Sequence, residues 1–147
     1  MSCAPKSVLP ERRRAVAVWD LEDASPAAKA QPDLGELLSA QIIATIKENE
    51  DIVVVERERL LLALEELNLG TTSLVDETTR LELGRIAGAQ AMVFGGYQII
   101  GDRLRLDLRL IDVETGKTLR AVATTAAAND VTAWLNAAKG AAEKLFD

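Results

Sequence analysis

The sequence predicts an α/β fold with α+β character, built on one mixed sheet with helices on both faces. Three observations predict it. Two short apolar runs, Ala15–Trp19 and Ile52–Val55, read as strands buried on both sides. A stretch of helical period lies between them, so the two should be parallel and joined by a right-handed crossover. After residue 90 the period falls to two: Leu104, Leu106, Leu108 and Leu110 alternate with Arg103, Arg105, Asp107 and Arg109. That alternation marks an antiparallel strand with one wet face. The expectation is two N-terminal parallel strands followed by a C-terminal antiparallel three-strand meander.

Residues 1–13 read as a flexible tail and residues 14–147 as a single domain, in keeping with a 147-residue chain. Arg12–Arg14 forms a solvated basic flank to the first strand. Leu21 to Asp33 carries acids, Ser25, Pro26 and Pro32, and reads as a loop. Asp33 stands as an N-cap with Glu36 at capping-box spacing, ahead of a helix that carries Leu34, Leu37, Leu38, Ile42 and Ile46 and ends near Asn49. Ile52–Val55 supplies four β-branched residues in succession.

Glu56–Leu67 is a second predicted helix, with Leu60, Leu61, Leu64 and Leu67 on one face and a left-handed cap at Gly70. Asp76 opens a third, Glu77–Ala87, with Leu81, Leu83, Ile86 and Ala87 apolar and Gly88 as its stop. Ala91–Ile100 reads as a strand in which Gly95-Gly96 signals a bulge or a close backbone approach. Gly101-Asp102 makes a tight turn. Asp112–Lys117 makes a hairpin with Gly116 where positive φ is needed, and Thr118–Thr125 returns as the last strand. Asn129 or Asp130 caps a final helix, striped by Val131, Trp134, Leu135, Ala138, Ala142 and Leu145.

Composition excludes several functions. Lys and Arg number 17 against 23 acids, a net charge of −6, the wrong balance for replacing counterions on nucleic acid. There is no histidine and a single cysteine. No Ser-His-Asp or Cys-His site, no zinc site of His or paired Cys, and no internal disulfide can be built. Carboxylate, lysine or Mg²⁺ chemistry stays open by composition. No apolar run reaches the ~18–20 residues that a bilayer-crossing helix needs. No cofactor is expected.

Five features are candidates for function. Asp20, Glu22 and Asp23 follow the first strand at the sheet edge where α/β folds bind ligands, and three acids there could hold Mg²⁺. The alternative is a solvated acidic loop, and no glycine-rich phosphate loop follows the strand. Glu56–Arg59 is either a partner-facing charge patch or a helical first turn. Trp19 and Trp134 are core residues or, if exposed, interface anchors. The strand at Arg103–Leu110 could present a sheet edge to another chain. Cys3 is a lipidation candidate: a small residue precedes it and a polar Pro/Ser stretch follows, as at the mature start of a bacterial lipoprotein. That reading requires the apolar lipobox residues to stand upstream of Met1. The alternative is an ordinary tail cysteine.

Four segments in order resemble one family. They are AVAVWD at 15–20 leading to LGELL at 34–38, VVVERERL at 53–60, LGRIAGAQAMV at 83–93 and RLDLRLIDVETG at 105–116. This chain is similar in these to the CsgG-like curli-assembly lipoproteins, a group that also includes a flagellar outer-membrane protein and lipoprotein activators of penicillin-binding proteins. The resemblance implies a non-catalytic, periplasmic protein-interaction module for envelope or surface-structure assembly. It implies a lipid anchor, here at Cys3, as the sole link to the membrane, and partners that are other envelope proteins or copies of itself. The long alternating segments of the pore-forming member are missing, so a secretion channel does not follow. The alternative is a cytoplasmic small-molecule or nucleotide-binding α/β domain.

Overall fold

The computed structural model describes residues 14–25, 32–67 and 76–147. The tail at 1–13 and the cap expected at Gly70 lie outside these residues. The elements run β1 (Arg14–Val18), β2 (Glu22–Asp23), α1 (Pro32–Lys47), β3 (Ile52–Val54), α2 (Arg57–Glu66), α3 (Glu77–Ala87), β4 (Ala91–Ile100), β5 (Arg103–Asp112), β6 (Thr118–Ala127) and α4 (Val131–Leu145). The mixed sheet has the order β3-β1-β4-β5-β6, with β2 also paired to β4. β1 is parallel to both its neighbours, pairing Arg14 with Ile52 and Val18 with Val93. β4, β5 and β6 form the antiparallel meander.

The strand alternation divides the core in two. Val16 and Val18 of β1, with the four leucines of β5, pack beneath α1 and α4. Ala17 and Trp19 join Met92 and Phe94 beneath α2 and α3. Both faces carry helices, as the sequence predicts, but not equally. The second cluster stops at Phe94 and Ile111. Beyond it Ile100, Arg103, Arg105, Ala121, Ala123 and Thr125 are exposed on a bare stretch of sheet.

Several local expectations need correction. α1 begins at Pro32, one residue ahead of the predicted N-cap position Asp33. Proline suits the first helical position, because its missing N–H would have no intrahelical partner there. β3 is an edge strand, and Val53 is 44% exposed, not buried on both sides. In α2 the buried face is Leu60, Ala63 and Leu64, while Leu61 is 43% exposed and Leu67 faces outward too. Ile86 of α3 and Val131 of α4 are likewise exposed. The 3.6-residue period rotates Leu61 and Ile86 off the buried stripe, whereas Leu67 and Val131 lie in line with it and are exposed because they stand at the ends of their helices.

Capping follows the sequence closely. The Asp76 carboxylate accepts a hydrogen bond from the Thr79 N–H at 2.8 Å, and Gly88 closes α3 at φ 93°. Asp130, not Asn129, caps α4, accepting from the N–H groups of Thr132 and Ala133. In the β5–β6 hairpin, Gly116 has φ 74° and Asp112 Oδ2 accepts from both the N–H and the hydroxyl of Thr115.

Two of these carboxyls gain acidity from their bonds. The Thr79 N–H, then its hydroxyl, holds Asp76 below the ordinary value of 3.8. The Thr115 hydroxyl, then its N–H, does the same for Asp112. A carboxyl whose pKa is depressed by folding stabilises the fold above its unfolded value and loses that contribution as pH falls through the folded value. With no histidine, no imidazole titrates near neutrality. The urea midpoint should therefore stay level from about pH 7 to about pH 5 and fall below about pH 4. The pair of substitutions Asp76→Asn and Asp112→Asn should flatten that acid limb. An unchanged limb would remove these two groups as its cause.

Candidate functional site

Within the loop expected from Leu21 to Asp33, Glu22–Asp23 forms the short strand β2, and residues 26–31 lie outside the described residues. Val18 pairs with Val93 and Glu22 with Gly96, so three residues, Trp19 to Leu21, oppose two, Phe94 and Gly95. The extra residue is a bulge on the β1–β2 side. The β4–β5 ladder itself runs unbroken from Ala91 to Ile100, so the bulge expected within Gly95-Gly96 is absent there. The glycines serve close approach instead. A Cβ on Gly95 would sit 2.8 Å from Leu108 Cδ2 and 2.9 Å from Leu21 Cδ2, and would overlap the Asp107 carbonyl oxygen. Leu21 is pulled into this space, and its N–H donates to Ser39 Oγ at 3.1 Å. The Ile99 N–H donates to Ser25 Oγ at 2.9 Å, pinning the end of the segment.

The three candidate acids are thereby sent to different partners. Asp20 forms an ion pair with Arg57 at 2.7 Å. Glu22 forms one with Arg80. Asp23 Oδ1 accepts from the Ser25 N–H at 2.8 Å. Among the described residues no group of three or more Asp, Glu, Cys or His is placed to hold a metal ion. Asp20, Glu22 and Asp23 therefore do not converge on one point.

What Glu22 joins is a groove on the bare face of the sheet. It encloses about 460 Å³ and is bounded by Glu22, Arg80, Gly96, Asp107, Arg109 and Ala123. Arg80 forms its wall. The guanidinium carbon lies 5.4 Å from the Trp19 ring centre and 5.8 Å from that of Phe94, and only 16% of the side chain is exposed. Cation–π attraction and the Glu22 carboxylate hold that charge in one place. On the floor, Arg109 pairs with Glu77 at 2.8 Å and Arg105 with Asp107 at 3.1 Å. The Asp107 carboxylate, first by hydrogen bonding and then by its charge, raises the pKa of Arg105 further. Such a surface offers fixed charge and small side chains to a partner.

Sequence reasoning missed Arg80. Its signal was spacing: residues 80, 83, 84 and 87 fall on one side of α3, and the last three are buried. An arginine on the apolar stripe must find a partner beneath it.

The other candidates resolve simply. Glu56 is the N-cap residue of α2 without a side-chain cap bond, and it lies 3.9 Å from Lys47. Trp19 and Trp134 are both buried, and the Trp134 indole N–H donates to the Ala127 carbonyl at 2.8 Å. β5 lies inside the sheet between β4 and β6, so it presents no edge to another chain. Cys3 lies outside the described residues.

Comparison with known proteins places this geometry. The family profile described as curli production assembly/transport component CsgG matches residues 3–100. No curated protein matches the chain. Among solved structures, the C-terminal domain of LpoB from Salmonella enterica is similar with a TM-score of 0.59 at 17% identity, covering 76% of this chain and 81% of that one. Lipoprotein GNA1162 from Neisseria meningitidis gives a TM-score of 0.60 at 17% identity, over 80% and 84%. A PelC dodecamer from Paraburkholderia phytofirmans gives 0.51 at 16% identity, over 91% and 85%. At these identities the likeness is one of fold.

Proposed function

The chain belongs to the CsgG family, and from that premise we propose that it is a non-catalytic, periplasmic protein-interaction module serving bacterial envelope or surface-structure assembly, lipid-anchored through Cys3. The observation that carries the reading is the groove on the bare sheet face. Its charges are held in ion pairs and its floor sets Arg109 and Asp107 among small side chains, a surface shaped for contact with another protein. The fold shared with lipoprotein GNA1162 and with the PelC dodecamer supports the same reading.

The test has two arms. Expressed from its native gene, the protein should take up labelled palmitate and fractionate with membranes, and Cys3→Ser should release it. A native protein that takes up no label has no anchor at Cys3. Separately, the purified chain used as bait on envelope extract should retain a defined protein. Arg109→Glu, on the groove floor, should weaken that capture at least ~10-fold, equivalent to about 1.4 kcal/mol. Capture unaffected by Arg109→Glu would move the partner elsewhere on the surface.

A further inference from the structure

The two ends of the sheet are unlike. β3 closes one end with three residues, whereas β6 leaves ten at the other. β6 is exposed or half-exposed along its whole length. An edge of that length normally carries prolines, bulges or several charges that deter pairing. β6 has no proline, and its register irregularity lies at its start, between the pairs Leu110–Arg120 and Ile111–Thr118. Its single charged residue is Arg120, whose guanidinium donates to the Lys144 carbonyl of α4 at 2.8 Å. That charge is committed to the chain's own helix.

We infer that β6 is the seam of a two-fold dimer, pairing antiparallel with β6 of a second copy to make one continuous sheet. The strand complements itself. An antiparallel register centred on Ala123 sets Val122 against Thr124, Ala121 against Thr125 and Arg120 against Ala126. No like charges then face each other, and β-branched residues meet across the seam. A partner recognised by charge would find one charged residue to read on this strand. On the bare face the seam is lined by Ala121, Ala123 and Thr125, too small to obstruct a second copy. On the other face α4 packs over both β5 and β6, and among the described residues no strand pairs with the outer edge of β6. Each α4 starts near Ala127 and ends near Arg120 of its own strand, so the two-fold sets the helices antiparallel, the favourable sense for their dipoles.

The inference deepens the interaction-module reading by naming a second copy as one partner. Its failure would leave the envelope capture above intact. The two also differ in salt dependence. Copies of net charge −6 repel, so salt should strengthen the dimer while weakening a partner held by groove charges.

Sedimentation of the full chain, with reductant present to keep Cys3 from cross-linking copies, should show a dimer that grows with concentration up to ~1 mM. Amide exchange in β6 should slow in step. Ala123→Lys and Ala123→Glu, both at an exposed position, should each weaken the dimer at least ~10-fold. Mixing the two should restore it as a heterodimer. A chain that stays monomeric throughout, or a dimer indifferent to both substitutions, would overturn the inference. So would β6 amides that gain protection only when envelope extract is added, since the edge would then belong to another protein.

Discussion

Gly95→Val should cost about 3 kcal/mol or more of folding stability, and much of the variant should be insoluble. Gly95 sits where three strands converge. The Asp107 carbonyl approaches from β5, Leu108 from the same strand and Leu21 from the bulge before β2. All three are fixed by pairing or burial, so no flexible side-chain end can step aside. A single methyl already overlaps the Asp107 carbonyl, and valine adds two more carbons. Relief requires parting β4 from β5 or expelling Leu21, and either opens the first core. Gly140→Ala is the matched control. Gly140 lies in α4 with open space around it, so alanine should gain about 0.5–1 kcal/mol from helix propensity. Urea unfolding of both variants reads the comparison. A Gly95→Val protein as stable as the parent would refute the crowding described.

Leu106→Ala should lose about 2–5 kcal/mol, while Arg105→Ala, one residue away, should leave the urea midpoint where it is. The contrast follows from the pleat. Leu106 is 0% exposed, lies between Tyr97 of β4 and Thr124 of β6, and packs beneath α1 and α4. Truncation there leaves a hole that rigid neighbours on both strands cannot fill. Arg105 points to the bare face, and its ion pair with Asp107 lies within one strand and in solvent. Equal effects from the two substitutions would mean that the strand does not separate a dry face from a wet one.

The same alternation explains which parts of the fold were legible. Period-two leucines in β5, the Asp76 cap and Gly88 stop of α3, and Gly116 in the hairpin are local patterns with local causes, and each stands where the sequence put it. Burial on helices was harder. Leu61, Leu67, Ile86 and Val131 are apolar, but their exposure depends on where the helix meets the sheet. The strand order was not legible either, and it is what places β5 inside and β6 at the edge. Of the site, Asp20, Glu22 and Asp23 were singled out by charge. Their separate partners, Arg57, Arg80 and the Ser25 N–H, come from 37, 58 and 2 positions away respectively. Arg80 was overlooked because charge alone suggested solvent, while its helical position set it over two aromatic rings.

The central place of β1 bears on how the domain resists force. Its N-terminal end leads out to the segment that carries Cys3, while its flanks are held by β3 on one side and β4 on the other. A pull applied at Arg14 along the axis of β1 runs parallel to both rows of its hydrogen bonds. It therefore shears both rows of hydrogen bonds together instead of unzipping one row bond by bond. A tether at this end would load the domain along its mechanically strongest direction, whereas a tug across the sheet at β6 would peel it.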